Sequence, residues 1–304
     1  MKKLFVIGAT GFIGRNLADY FSKISKVFAG TYLSSHWRLN DLRKNDSITT
    51  CFCDITERDS VLRNIEQIEP DFIINSSIYG NYGNEKEPEK TFSVNLFGLI
   101  NLIASVKQLK SKAKIIQLST ILESSKEFLS NYLISKAAAT KYCQKEREIE
   151  GIPVIVLRLP SIYGRYEDRK RLIPNLLRFA IFRRSFPPLV KEDVRRDFLF
   201  VDDLCRCCEL VFQAFSTFES VLDLSSGEST SIGEVASLVK EVYKLDNEPV
   251  FDLMPERRWM ESVIDEKNLH FDSRLEFPKT SLRQGLVETG DWILNYGKQY
   301  SEFR

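Results

Sequence analysis

Histidine is nearly absent from this 304-residue chain, with only two present, His36 and His270. A zinc site would therefore lean on cysteine, and the six cysteines are not spaced for one. Cys51 and Cys53 alternate along a strand-like run, while Cys205, Cys207 and Cys208 crowd a helix-like one. They read as buried reduced thiols, and no metal site is expected. An excess of charge of either sign is also missing, since 43 lysines and arginines face 42 aspartates and glutamates. So small a balance gives no dominant field for nucleic acid or a membrane surface. The cations Arg165, Arg169, Lys170, Arg171, Arg178, Arg183 and Arg184 are accompanied by Glu167 and Asp168. That mixture reads as a solvated face or as contacts to a small substrate's phosphates, not as a nucleic-acid surface. No apolar run has the length needed to span a bilayer. The opening MKKLFVIGATG has a signal peptide's charged start, but its apolar run ends at Gly8. It reads as a first strand, and the chain as soluble and cytoplasmic.

What is present alternates. Short apolar runs at 3–7, 27–32, 49–53, 71–76, 113–118 and 153–159 have strand character, and helix-period segments at 12–22, 57–67, 88–110 and 131–150 lie among them. This order predicts an α/β fold with a doubly wound parallel sheet. Past residue 160 the rhythm loosens, punctuated by Pro174, Pro187, Pro188 and Pro255, with two clear helices at 202–215 and 231–243. The expected organisation is a dinucleotide-binding domain over 1–160 and a smaller mixed α/β substrate lobe over 161–304, some of whose segments return to the sheet.

The segment GATGFIG places Gly8, Gly11 and Gly14 directly after the first strand and at the start of the first helix. Glycine permits the tight turn and close backbone approach, and the helix N-terminus aims N–H groups at a pyrophosphate. Gly8, Thr10, Gly11, Phe12, Ile13 and Gly14 are thus candidate cofactor contacts. At the end of the second strand, where NAD-specific sites commonly carry an acid, the stretch AGTYLSSHWR offers Thr31, Ser34, Ser35 and Arg38 instead. These groups suit a 2′-phosphate and favour NADP over NAD, although Arg38 also reads as a solvated loop cation. Asp54 and Ile55 follow the third strand, where they are candidates to frame the adenine or simply to end the strand.

Tyr132 and Lys136 stand four residues apart on a helix-forming segment and so share a face. An ammonium beside a phenol favours phenolate and makes the tyrosine a proton donor and acceptor near neutral pH. Thr120, just past a strand's carboxyl end, can hydrogen-bond the same substrate oxygen. Together they suit a carbonyl–alcohol interconversion in which a nicotinamide handles the hydride. The competing reading is helix packing, since Tyr-x-x-x-Lys arises by chance on amphipathic helices. The order of glycine loop, strand-end threonine, tyrosine and lysine favours the catalytic one.

With these motifs, and with CDIT (53–56), NSSIYG (75–80), SVNLFGLINL (93–102), LRLPSIYG (157–164), RLIP (171–174), RRDFLFVDDL (195–204) and GLVETGDWI (285–293), the chain resembles the extended short-chain dehydrogenase/reductase family. The likeness is to its nucleotide-sugar epimerases, dehydratases and ketoreductases. It implies a Rossmann sheet, with Ser76, Ser77 and Asn95 along the cofactor and Pro160 near the nicotinamide. It also implies Tyr79, Thr120, Ser161, Arg196 and Arg258 near the sugar nucleotide, and a homodimer through helices 88–110 and 131–150. Arginine suits a diphosphate because its planar fork makes paired, charge-assisted bonds. The family's 4,6-dehydratases carry Asp-Glu after the threonine, whereas this chain has Ile121 and Leu122, which disfavours dehydration. The short connection from Thr120 to Tyr132 is similar to that of the reductases making CDP-paratose and CDP-abequose. A nucleotide-sugar 4-ketoreductase in deoxysugar and O-antigen biosynthesis is therefore expected, with a 4-epimerase retaining NAD as the nearest alternative. A non-catalytic dinucleotide sensor is a more distant one.

Overall fold

The computed structural model describes residues 1–32, 36–80, 87–125, 130–253, 275, 277 and 279–297. Its strands are β1 (Lys3–Ile7), β2 (Lys26–Thr31), β3 (Ile48–Phe52), β4 (Phe72–Asn75), β5 (Lys114–Thr120), β6 (Val154–Leu159), β7 (Ser161–Tyr163), β8 (Arg195–Arg196), β9 (Phe198–Phe200), β10 (Val221–Asp223) and β11 (Thr230–Ser231). The helices are α1 (Phe12–Phe21), α2 (His36–Leu42), α3 (Arg58–Ile68), α4 (Pro88–Phe92), α5 (Gly98–Gln108), α6 (Asn131–Glu148), α7 (Leu172–Arg183), α8 (Val201–Gln213), α9 (Ile232–Tyr243) and α10 (Leu282–Gly297).

Seven parallel strands form one sheet in the order β10-β6-β5-β4-β1-β2-β3. The expected doubly wound Rossmann-like architecture is therefore the one observed. Strands such as KLFVI and VIVLRL are apolar at nearly every position because helices cover both faces of the sheet. Phe5, Ile73, Ile115, Val154 and Val156 contribute to the core from the sheet, and Val61, Ile65, Leu99, Leu102 and Ile103 from α3 and α5. The chain winds outward in both directions from β1 and β4, and this reversal opens a crevice beyond their carboxyl ends.

The stretch 88–110 is not one α-helix. Between α4 and α5, Ser93–Phe97 forms a π-helical turn, a local widening that the apolar period does not reveal. Three helices, α2, α7 and α10, lie outside the helix-period segments of the sequence. In α7, Pro174 lies in the first turn, where its missing N–H interrupts no helical hydrogen bond, so the proline does not exclude a helix there.

The chain divides into two compact units. The first comprises Met1–Leu159, Cys205–Leu224 and Glu266–Glu276; the second comprises Pro160–Leu204, Ser225–Asp265 and Phe277–Arg304. Within the second, Tyr166, Trp292 and Tyr296 stack as an aromatic cluster, and β7 pairs with β9. All six cysteines are free thiols. Burial pushes Cys51 up to about 11 and Cys53 up to about 12, which makes both poor nucleophiles at neutral pH.

Candidate active site

At the end of β1 the chain must turn sharply to enter α1. Gly8 does so at φ +80, where a side chain would be strained, and a Cβ there would lie 2.8 Å from the Ser77 nitrogen. Gly14 is tighter. A Cβ on it would strike the Gly8 carbonyl and stand 2.6 Å from Ser76 Oγ and 2.9 Å from Ala9 Cα. Gly11 is the N-cap of α1 and supplies no side-chain cap, so Phe12, Ile13 and Gly14 open the helix with outward-directed backbone N–H groups. The Gly8 and Ala9 amides donate to Gly30 O at 3.1 and 3.0 Å, which locks the loop onto β2. This cradle, closed to side chains and headed by a helix N-terminus, fits the pyrophosphate of a dinucleotide.

α2 brings a cation to the same loop. The Arg38 guanidinium reaches Thr10 O at 3.5 Å and lies over the Trp37 ring at 4.7 Å. α2 is itself anchored by a buried ion pair, Arg15 Nη2 to Asp41 Oδ2 at 2.8 Å. Thr10 and Thr31 are buried and donate to Tyr32 O and Cys51 O. Ser34 lies outside the described residues. Asp54 is engaged within its own turn, accepting from Thr56 N at 2.9 Å and Thr56 Oγ1 at 2.7 Å. Ile55 is buried in the core against Gly98.

After β4, Ser76 Oγ donates to Ile7 O at 2.7 Å and Ser77 Oγ donates to Asn75 Oδ1 at 2.5 Å, so both hydroxyls brace the edge of the crevice. Asn95, in the π turn, accepts from Tyr79 N at 2.9 Å and donates to Tyr79 O at 2.9 Å and Ser135 Oγ at 3.0 Å. Ser135 Oγ donates in turn to Tyr132 O at 2.7 Å. Asn95 is thus a strut holding the 79 loop against the first turn of α6. The Tyr79 phenol donates to Glu87, and Lys90 covers its ring.

Thr120 closes β5 and caps a 3-10 turn over Ile121–Ser124, its Oγ1 accepting from Leu122 N at 3.3 Å. Ser130 caps α6 by accepting from Leu133 N at 3.2 Å, which fixes Tyr132 in the first turn and Lys136 one turn later on the same face. Lys136 is buried, and its ammonium donates to Leu118 O at 2.9 Å. Burial drives the Lys136 ammonium down to about 8 against an upward pull from Glu123.

Glu123 was not apparent from the sequence. Its side chain is 3% exposed, accepts from Thr140 Oγ1 at 3.0 Å and from Ser119 Oγ, and has Arg158 Nη1 at 3.8 Å. Arg158 forms a fork to Asp223 through Nε at 2.5 Å and Nη2 at 2.6 Å, and its Nη1 donates to Ser124 Oγ at 2.6 Å. The one signal available was an acid three residues beyond Thr120, in a turn where attention falls on the absent Asp-Glu pair.

In the second unit, Pro160 precedes β7, and Ser161 N donates to Asp197 O at 2.9 Å. Arg196 on β8 is half-buried; burial, and then the neighbouring Arg171, hold its guanidinium below the usual arginine range. Two cations so placed favour an anion. Glu167 is buried, and desolvation pushes its carboxyl up to about 8. Arg165 pairs with Asp202 at 2.6 Å, and Arg184 donates to the carbonyls of Tyr243 and Lys244, so part of the basic cluster serves the unit's own structure. Arg258 lies outside the described residues.

A family model described as NAD dependent epimerase/dehydratase family matches residues 4–224. GDP-L-fucose synthase 1 of Arabidopsis thaliana is 27% identical, over 96% of this chain and 93% of its own. GDP-6-deoxy-D-talose 4-dehydrogenase of Aggregatibacter actinomycetemcomitans is 24% identical, over 79% of this chain and 80% of its own. Among solved structures, UDP-glucose 4-epimerase of Thermotoga maritima with UDP-glucose superposes with a TM-score of 0.82 at 22% identity, covering 96% of this chain and 99% of that one.

Proposed function

Because the chain belongs to the NAD-dependent epimerase/dehydratase family, we propose that it is an NADP-preferring reductase of a nucleotide-activated 4-keto-6-deoxy or 3,6-dideoxy hexose. Its product is the corresponding 4-hydroxy sugar nucleotide. The observation that carries this reading is the conjunction at the end of β5: Thr120 on the turn, Tyr132 and Lys136 on one face of α6, and apolar residues where a dehydratase has its acid pair. Ile121 is buried, and neither it nor Leu122 can move a proton.

Gly8, Gly11 and Gly14 with the first turn of α1 hold the pyrophosphate, and Lys136 holds the nicotinamide ribose. A bound nicotinamide dinucleotide supplies the hydride for the ketone carbon. Tyr132 gives its phenolic proton to the O4 oxygen as negative charge develops there. Thr120 Oγ1 takes the Leu122 N–H as acceptor, which leaves its own O–H to donate to the same oxygen. Lys136, positively charged beside Tyr132, favours phenolate once the proton has gone. The Arg38 guanidinium over the glycine loop is the contact for a 2′-phosphate, and Arg171 with Arg196 is the pair suited to a substrate diphosphate.

The same three side chains also serve a 4-epimerase, which returns its hydride to the sugar, so net cofactor consumption separates the two readings. The relatives named for GDP sugars put guanosine diphosphate substrates beside the CDP sugars suggested by the short 120–132 connection. Phe97 and Ile134 are exposed apolar residues on the helices proposed to pair in a homodimer. The test is a panel of CDP-, dTDP-, GDP- and UDP-4-keto sugars assayed for NADPH oxidation. Oxidation with at least one member is expected; none with any, alongside interconversion of two 4-hydroxy sugar nucleotides, replaces the reductase with the epimerase.

A further inference from the structure

The buried Glu123 has no part in the proton and hydride chemistry described above, yet it lies in the wall of that centre. A carboxylate so deeply desolvated persists only where donors and cations compensate it. Here Ser119 at the end of β5 and Thr140 in the middle of α6 both donate to its Oε2. The hydrogen bonds therefore join the strand that ends at Thr120, the 3-10 turn that Thr120 caps, and the helix that carries Tyr132 and Lys136. Arg158 on β6 lies 3.8 Å from the other carboxylate oxygen but is committed by its fork to Asp223. Burial holds the Glu123 carboxyl above the usual carboxylate range, and the bonds from Ser119 and Thr140, then Arg158 and the Lys136 ammonium as second cation, pull it back down.

We infer that Glu123 is a positioning residue of the Thr120–Tyr132–Lys136 centre: its carboxylate ties the turn presenting Thr120 to α6 through Ser119, next to the Leu118 carbonyl that Lys136 bonds, and through Thr140, one turn beyond Lys136, and it is the counter-charge to that ammonium. The inference rests on the reading of those three residues given above. Among the described residues, Glu123 faces Lys136 from the turn, and Cys143 and the Tyr132 phenol face it from α6 itself. β6 contributes Arg158, which acts through Glu123, and the π turn Ser93–Phe97 contributes no charged residue. From α4, Lys90 is turned to Glu87 and to the Tyr79 ring. Glu123 is thus the carboxylate that offsets the cost of burying the ammonium. Replacing it by glutamine preserves shape and removes the charge.

The test reads Lys136 directly. Protein labelled with 13C at lysine Cε is titrated by NMR, the Lys136 signal being assigned by its loss in Lys136→Met. In the unsubstituted protein the midpoint is expected near pH 8. In Glu123→Gln it should fall by about one pH unit, a tenfold loss of proton affinity, and Glu123→Asp should restore part of the difference. An unchanged midpoint in a folded Glu123→Gln protein overturns the inference. If Glu123→Gln does not fold, Thr140→Val serves instead. It removes one of the bonds holding the carboxylate, and kcat with a reducible 4-keto sugar should fall several-fold, a larger loss than any in the affinity for NADPH. Unchanged kcat there overturns the inference equally. A midpoint shift that the pH–kcat profile does not follow supports the Glu123–Lys136 coupling and removes Lys136 from the proposed chemistry, so the two failures are distinguishable.

Discussion

Replacing Lys136 by methionine should make the protein more stable and inactive. The side chain is 3% exposed, and burial lowers its ionisation from the ordinary 10.5 to about 8. Below pH 8 both folded and unfolded chains carry the proton, and the folded chain bears a cost of about 3 kcal/mol for keeping the charge buried. Between 8 and 10.5 the unfolded chain binds more protons than the folded one, so this contribution to stability rises with pH and the cost is gone above the window. Methionine removes the charge but also the donor to Leu118 O. That carbonyl still accepts from Gln117 Nε2 at 2.9 Å, so the loss is about 1 kcal/mol. Glu123 loses a neighbouring cation as well, which leaves a net gain of about 1–2 kcal/mol at pH 7. For a chain of this length that is about 2–3 °C in Tm. Thermal unfolding of both proteins at half-unit steps from pH 7 to 10.5 checks it. Buried thiols such as Cys53, raised to about 12, bias both curves in the opposite direction and cancel in the difference. The Tm advantage of Lys136→Met should shrink steadily across the window. A difference that is constant with pH, or a less stable variant at pH 7, would show that the ammonium is not held at a cost and would refute the reasoning.

Two further outcomes follow from the same centre and its cofactor cradle. Tyr132→Phe keeps the ring packed in the first turn of α6 and removes the proton, so kcat should fall about a hundredfold or more while the dissociation constant for NADPH is unchanged; near-normal turnover would make Tyr132 a packing residue. NADPH should bind more tightly than NADH, and Arg38→Ala should reduce the ratio of their dissociation constants by about tenfold, the value of one charge-assisted contact; a ratio that does not respond removes Arg38 from cofactor selection.

How much of this was legible beforehand depended on whether local pattern or long-range contact decided the structure. β1 and β6 were readable because continuous apolar runs between turn residues leave little alternative, and the glycine loop because its steric demand is local. The π turn was not, since Asn95 bonds to Tyr79 and Ser135, which are distant in sequence, and nothing in SVNLF announces a wider helical turn. The packing of Ile55 in the core against Gly98 was not legible either, because that contact is set by how α5 meets the end of β3. Helix α7 was hidden by Pro174, which reads as a breaker until its place in the first turn is known. Glu123 was hidden for a related reason: its partners Ser119 and Thr140 sit on a strand and a helix, and only the fold brings them to one carboxylate.

The central claim, that the hydride ends in the sugar alcohol and is spent once per turnover, is tested most directly with NADPH deuterated at the transferred position of C4. The protein is incubated with the 4-keto sugar nucleotide that it accepts, and product and oxidised cofactor are quantified together by mass spectrometry and NMR. The account predicts one deuterium at C4 of the product and about one NADP formed per molecule of alcohol, with the cofactor exchanging between turnovers. A 4-hydroxy product without deuterium, formed from a 4-hydroxy substrate with no net NADP, would contradict it.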